Sequence, residues 1–208
     1  MTATVRVLAA SSGLTGAILF VGWFVDPAFV LSMSGDIAVR VTTAFGLAML
    51  GAMLWAMEDT RAGGGDTRPV GHIVVSTCAL WPLLITGLLL VAGLMKMSLG
   101  VERLFVSQQV SGPFDVGLGI PSLGTLTALS LAAVAGLCHV FNSLRRHARV
   151  RALGYVVSGL GGSALIGHAL DVPALFFFSE GLSTGMAALT AACLVAQGVA
   201  LVLVGRVP

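Results

Sequence analysis

Six apolar runs divide this 208-residue chain, each long enough to cross about 30 Å of hydrocarbon. They are Val7–Val25, Ile37–Met57, Val70–Met95, Pro121–Leu144, Ala152–Leu170 and Gly185–Val204. A backbone inside lipid must satisfy its own hydrogen bonds, so runs of this length read as helices. Composition agrees: 57% of the residues are hydrophobic and 10% are charged, against roughly 25% charged in a soluble domain. A chain of this size cannot hide so much apolar surface in one globule. The expected fold class is therefore an all-α integral membrane protein with six transmembrane helices. Arg6 and the run behind it resemble a signal peptide, but no A-x-A site follows. A retained first helix is expected.

The polar breaks set an expected orientation. Arg6, Arg61, Arg68, Arg145, Arg146, Arg149, Arg151 and Arg206 fall on one side; Arg40, Lys96 and Arg103 fall on the other, with Asp26, Asp36, Glu102, Asp115, Asp171 and Glu180. Excess arginine marks the cytoplasmic side. Both termini are thus expected inside, and the acidic loops outside, in a multi-pass protein of a bacterial inner membrane. The net charge of +2 comes without a basic block, so nucleic acid is not an expected partner. Cys78, Cys138 and Cys193 lie far apart with no CxxC pair, and read as small buried hydrophobes.

The outward turns look alike. "GWFVDPAFVLSMSG" (Gly22 to Gly35) and "GHALDVPALFFFSEG" (Gly167 to Gly181) share a Gly, an Asp, a Pro-Ala and an aromatic. The helices behind them align on Thr43, Thr127 and Thr190, each followed by Ala and, three residues later, by Leu. This pattern predicts three consecutive helical hairpins, at about 7–57, 70–144 and 152–206. The middle hairpin lacks the Asp-Pro turn and carries an outward insertion at about 96–120, with one amphipathic piece at Val101–Val110.

Small residues recur every fourth position and read as helix-packing faces. They are Ala44, Ala48, Ala52 and Ala56; Ala128, Ala132 and Gly136; Gly154, Ser158 and Gly162; Ala188, Ala192, Ala196 and Ala200. Packing within the chain is the first reading of these faces and a homodimer face the second. The three threonines are expected to bond back to a carbonyl one turn earlier.

Candidate ligand or recognition residues cluster at the outward turns: Asp26, Pro27, His168, Asp171, Pro173 and Glu180. Asp followed by Pro is a helix-start signature, so short interfacial helices are expected at Pro27–Leu31 and Pro173–Ser179. His168 sits inside a span, where an ionisable residue is by default a functional candidate. Its counterpart is Trp23, which points instead to an amphipathic interfacial ring. His72 and His139 belong to one hairpin and are the candidate ligands of a b-type haem, an alternative to the expectation of no cofactor and no metal. The chain has no GxSxG elbow, HExxH or P-loop, so no enzyme is expected.

On Pro173, Ala174 and Phe176, then Thr190 and Ala191, the last hairpin resembles that of the six-helix membrane modules at the N-termini of bacterial sensor histidine kinases and diguanylate cyclases. Asp26-Pro27-Ala28 with Thr43-Ala44 repeats the pattern in the first hairpin. The resemblance implies sensing or anchoring in the membrane, with output through a cytoplasmic domain. Here the sequence stops at Arg206-Val207-Pro208. The expected role is a non-enzymatic sensory, scaffold or accessory subunit, working with membrane lipid and a membrane partner or a second copy of itself. A small-molecule transporter or channel is a further alternative.

Overall fold

The structure, a computed structural model, describes residues 2–34, 37–62, 68–95, 121–141, 145–177 and 185–206. Every regular element among them is helical: α1 (Thr2–Val25), α2 (Pro27–Ser34), α3 (Val41–Ala62), α4 (Arg68–Leu94), α5 (Leu123–Val140), α6 (Arg146–Ala169) and α7 (Ala188–Val204), with a 3-10 turn at Pro173–Leu175. Five of the helices, α1, α3, α4, α5 and α6, are long and apolar enough to cross a membrane; α7 is a shorter apolar helix of 17 residues. That length and apolarity make this a membrane protein by build. Its apolar side chains cover the outside as well as the core. Leu84 is 65% exposed and Ile73 66% exposed on α4, while Leu47 and Leu50 on α3 are fully buried.

α3 is the hub, packed against α1, α4, α5 and α7, and sequence neighbours α1–α3, α4–α5 and α6–α7 make the broadest contacts. Two of these three pairs are closed by glycine. A Cβ added at Gly16 of α1 would lie 2.8 Å from both the Ala44 carbonyl oxygen and the Leu47 Cβ of α3. A Cβ added at Gly161 of α6 would lie 2.7 Å from the Ala191 carbonyl oxygen and 3.1 Å from the Leu194 Cβ of α7. From the opposite helix of each pair, a Cβ on Gly51 would meet the Ala9 oxygen at 2.9 Å and the Gly13 nitrogen at 2.8 Å. One on Gly198 would meet the Gly154 oxygen at 2.8 Å and the Ser158 nitrogen at 2.5 Å. Such spacing admits no side chain, so backbone lies on backbone, as small residues allow in lipid. The α4–α5 pair is joined differently: Thr86 bonds the Pro82 carbonyl at 2.7 Å within α4 and the Ser130 hydroxyl at 2.8 Å across the pair.

Ala44, Ala128, Ala132, Gly136 and Gly154 are buried, and Ala48 and Ser158 lie at the seams. Ala52 and Ala192 are exposed, Ala196 is half-buried, and nothing lies within 4 Å of a Cβ built on Gly162. Their neighbours Gly51, Ala191 and Gly161 take the seams instead. The reason is helical geometry. At 3.6 residues per turn, a strict four-residue step drifts by about 40° each time, so a stripe kept on every fourth residue winds around the helix, and Ala52 turns outward between the buried Ala44 and Ala56. Real faces alternate steps of three and four.

The polar breaks are narrower than expected. α3 continues through Glu58–Arg61, and α6 begins at Arg146 within the basic stretch. The amphipathic piece at Val101–Val110, Lys96 and Glu180 lie outside the described residues.

Candidate functional site

Two chemically distinct ends follow from this packing. One carries the turns after α1 and α6 and the first residues of α3, α5 and α7; the other carries Arg6, Arg61 and the last turns of α3 and α7.

At the turn end, Asp26 behaves as its sequence suggests. Its Oδ1 accepts from the Ala28 amide at 3.0 Å and from the Phe29 amide at 3.3 Å, capping α2, which starts at Pro27. Asp171 does not repeat this role. It has φ 52°, and the Val172 amide reaches back to the Gly167 carbonyl at 2.8 Å. That is a left-handed helix stop with the six-to-one bond of a Schellman motif, ending α6 rather than starting a new helix. Among the described residues of the helix expected at Pro173–Ser179, the 3-10 turn Pro173–Leu175 forms, with no side-chain cap from Val172, and Phe178 and Ser179 lie outside the described residues.

The rings just inside these turns do correspond. The Trp23 indole N–H donates to the Val39 carbonyl at 2.8 Å. His168 Nε2 lies 2.8 Å from the Met186 carbonyl. A carbonyl can only accept, so Nε2 carries the proton. Val39 and Met186 each stand two residues ahead of a helix, α3 and α7. The His168 ring also stacks on Phe176, with centroids 4.3 Å apart and planes within 8°. Both rings therefore fasten the incoming helix to the returning chain.

Between the returning strands of chain lies a concavity of about 190 Å³, open space included. Ala38, Val39, Arg40 and Thr43 line it from one hairpin, Gly185, Ala187 and Thr190 from another, and Pro121, Ser122 and Thr125 from the start of α5. Ser122 caps α5 through the Thr125 amide at 3.0 Å and meets the Thr125 hydroxyl at 2.6 Å. Thr43 and Thr190 are 3% and 1% exposed. The back-bonds expected of the three aligned threonines do not form; among the described residues the side chains of Thr43, Thr127 and Thr190 make no hydrogen bond.

At the arginine end, His139 is buried, with Nε2 3.2 Å from the Thr60 hydroxyl. His72, its proposed haem co-ligand, is half-buried near the start of α4. Among the described residues no group of three or more His, Cys, Asp or Glu side chains gathers to hold a metal. Glu58, 1% exposed, has Oε2 3.6 Å from Arg61 Nη1. Arg61 Nη1 also reaches the Leu203 carbonyl at 3.4 Å, tying α3 to the end of α7. Across the end, Arg6 pairs with Asp59 at 2.7 Å and sits over Trp55. Glu58 and Thr60 lie beyond the apolar run Ile37–Met57, yet α3 carries both and buries them. Hydropathy alone cannot report that a polar residue on the last turn of a span faces its neighbours.

One strongly polar group lies deep in the bundle. Gln197 is fully buried and donates from Nε2 to the Leu47 carbonyl of α3 at 3.0 Å, while its Oε1 has no partner.

Comparison with protein-family models, with curated proteins and with solved structures finds no match to this chain.

Proposed function

We propose that this chain is a non-enzymatic, six-span inner-membrane module built from hairpin repeats, serving as a sensory, scaffold or accessory subunit through helix–helix contact. α7 completes the sixth span: its 17 residues reach about 26 Å, near the lower limit for crossing hydrocarbon. The repeat reading is supported by the paired contacts. Gly16 meets Ala44 and Leu47 as Gly161 meets Ala191 and Leu194, and Trp23 meets Val39 as His168 meets Met186. With termini on the arginine side, the turn end faces outward.

The observation that carries the contact reading is on α6. This helix spends Gly154 and Gly161 on α7, yet it still presents Gly159 and Gly162, with nothing within 4 Å of a Cβ on either. Ala148, Ala152 and Tyr155 extend that outer face toward the arginine end. A helix does not need small residues to face lipid, but a second helix does need them for close approach.

The test is a double variant, Gly159→Leu/Gly162→Leu, compared with wild type by cross-linking and co-purification in mild detergent. The expected result is loss of a cross-linked homodimer or of a co-purifying membrane protein, with the unfolding midpoint unchanged. An unchanged cross-linking and co-purification pattern overturns this reading.

A further inference from the structure

The arginines at the end opposite the turns are not used alike. Arg6 is paired with Asp59 at 2.7 Å and lies over Trp55, and Arg61 faces Glu58 and the Leu203 carbonyl. Those contacts occupy both acids that the described residues bring to this end, since Asp26 and Asp171 stand at the turns. Arg149, Arg151 and Arg206 are exposed and make no ion pair among the described residues. The uncompensated positive charge therefore gathers on one edge, at the start of α6 and the end of α7.

Packing holds that edge together. A Cβ added at Gly205 would meet the Arg151 amide nitrogen at 2.8 Å and the Arg151 Cβ at 2.9 Å. The end of α7 thus rests on the second turn of α6, and Arg206 follows directly. Arg149 stands about 160° around α6 from Arg151, on its other flank. Between the two flanks the outward face carries Ala148 and Ala152, both exposed. Two guanidiniums border a strip of helix with nothing taller than a methyl group.

The surface below is apolar. One turn inward from Arg151, Tyr155, the chain's one tyrosine, is 59% exposed, and Val156 beside it is 49% exposed. Tyrosine at the end of a span marks the headgroup level. A soluble acidic partner would complement the arginines and leave this apolar skirt bare. A phospholipid complements both, with its phosphate against the guanidiniums and its acyl chains against the side chains beneath. The planar fork of arginine also matches two phosphate oxygens at once.

We propose that the start of α6 and the end of α7 form a docking surface for the headgroup of an anionic phospholipid, with Arg149, Arg151 and Arg206 as counter-charges. This inference rests on α6 being a membrane span with its arginines at the membrane surface. It adjoins the contact face at Gly159 and Gly162 and does not depend on it, because Gly159→Leu/Gly162→Leu leaves every arginine in place.

The experiment is thermal unfolding of the full chain in neutral detergent, with short-chain phosphatidylglycerol titrated in at constant ionic strength. Phosphatidylcholine of the same chain length and glycerol 3-phosphate are the controls. The expected result is a saturable rise in midpoint with phosphatidylglycerol and none with either control. Arg149→Gln/Arg151→Gln should weaken the apparent affinity by about fivefold for each arginine removed. Arg206→Gln tests the same surface from α7, with an expected loss of about fivefold, and decides if the double variant fails to fold. Arg6→Gln, which breaks an existing ion pair, should leave the affinity unchanged, as should Gly159→Leu/Gly162→Leu. An equal rise with phosphatidylcholine assigns lipid without charge selection, and one with glycerol 3-phosphate assigns a free anion. Loss of the effect in the glycine variant assigns a second copy of the chain. Each of these overturns the proposal, as do no rise with phosphatidylglycerol, unchanged affinity in the α6 and α7 arginine variants, or an equal loss in Arg6→Gln.

Discussion

Trp23 fastens the end of α1 to Val39 through a 2.8 Å bond from its indole N–H to a backbone carbonyl that is itself deep in the fold. His168 does the same to Met186 at the end of α6. Replacing either ring by Phe keeps the bulk and removes the donor. Trp23→Phe and His168→Phe should each cost about 1–3 kcal/mol, the penalty for stranding a buried acceptor. Denaturant unfolding in detergent measures both. A silent His168→Phe beside a costly Trp23→Phe would show that the two rings are not equivalent.

The glycine seams make a sharper prediction because adjacent glycines give opposite outcomes. Gly161→Leu and Gly16→Leu must push a neighbouring backbone aside and should destabilise by about 3 kcal/mol or more, at or beyond the usual range for overpacking. Gly162→Leu adds its side chain in open space and should stay within about 0.5 kcal/mol of wild type, as at other unconstrained surface sites. Thermal midpoints of the three variants, read side by side, check the register of the α6–α7 contact.

Gln197 looks indispensable by depth and is not expected to be so by energetics. Its bond to Leu47 ties α7 to α3, but its own oxygen is unpaired. An interhelical hydrogen bond in lipid contributes about 0.6 kcal/mol on average, and Gln197→Leu also removes the unpaired oxygen. The net change should lie within about 1 kcal/mol of wild type by reversible unfolding. A loss of several kcal/mol would mean that the oxygen does find a partner, such as a buried water.

Orientation can be read directly. Reporter fusions near Gly64 and His147 should score as cytoplasmic, and fusions near Asp115 and Glu180 as external. The reverse pattern would exclude the hairpin scheme with both termini inside.

The helices were legible because lipid leaves a chain one solution for long apolar runs. The helical segments stay within a few residues of the runs at most ends, from Thr2–Val25 to Ala188–Val204. The partners of those helices were legible only as a class. Small residues announce close approach, but choosing Gly161 over Gly162 requires the phase of the helix, which a four-residue stripe blurs. The turn end was half legible. Asp26 and Asp171 share a sequence context, yet one caps a helix start and the other takes a left-handed stop, because Val172 stands between Asp171 and Pro173 while Pro27 follows Asp26 directly. The polar pocket was not legible. Its wall is gathered from three helix starts far apart in sequence, and Arg40 read as nothing more than a charge on the outer side.

The seams also differ in stiffness. Where Gly51 meets Gly13, main chain bears directly on main chain, and no rotamer can change to let α1 and α3 slide; at Gly198 the Ser158 side chain of α6 shares the seam with main chain. Between α3 and α5 the filler is different: the Met53 thioether lies over Gly136, and Leu129 lies over Gly46. Unbranched methionine repacks readily. The α1–α3 seam is therefore the stiff one, and the α3–α5 contact is the one that side-chain rotation can adjust.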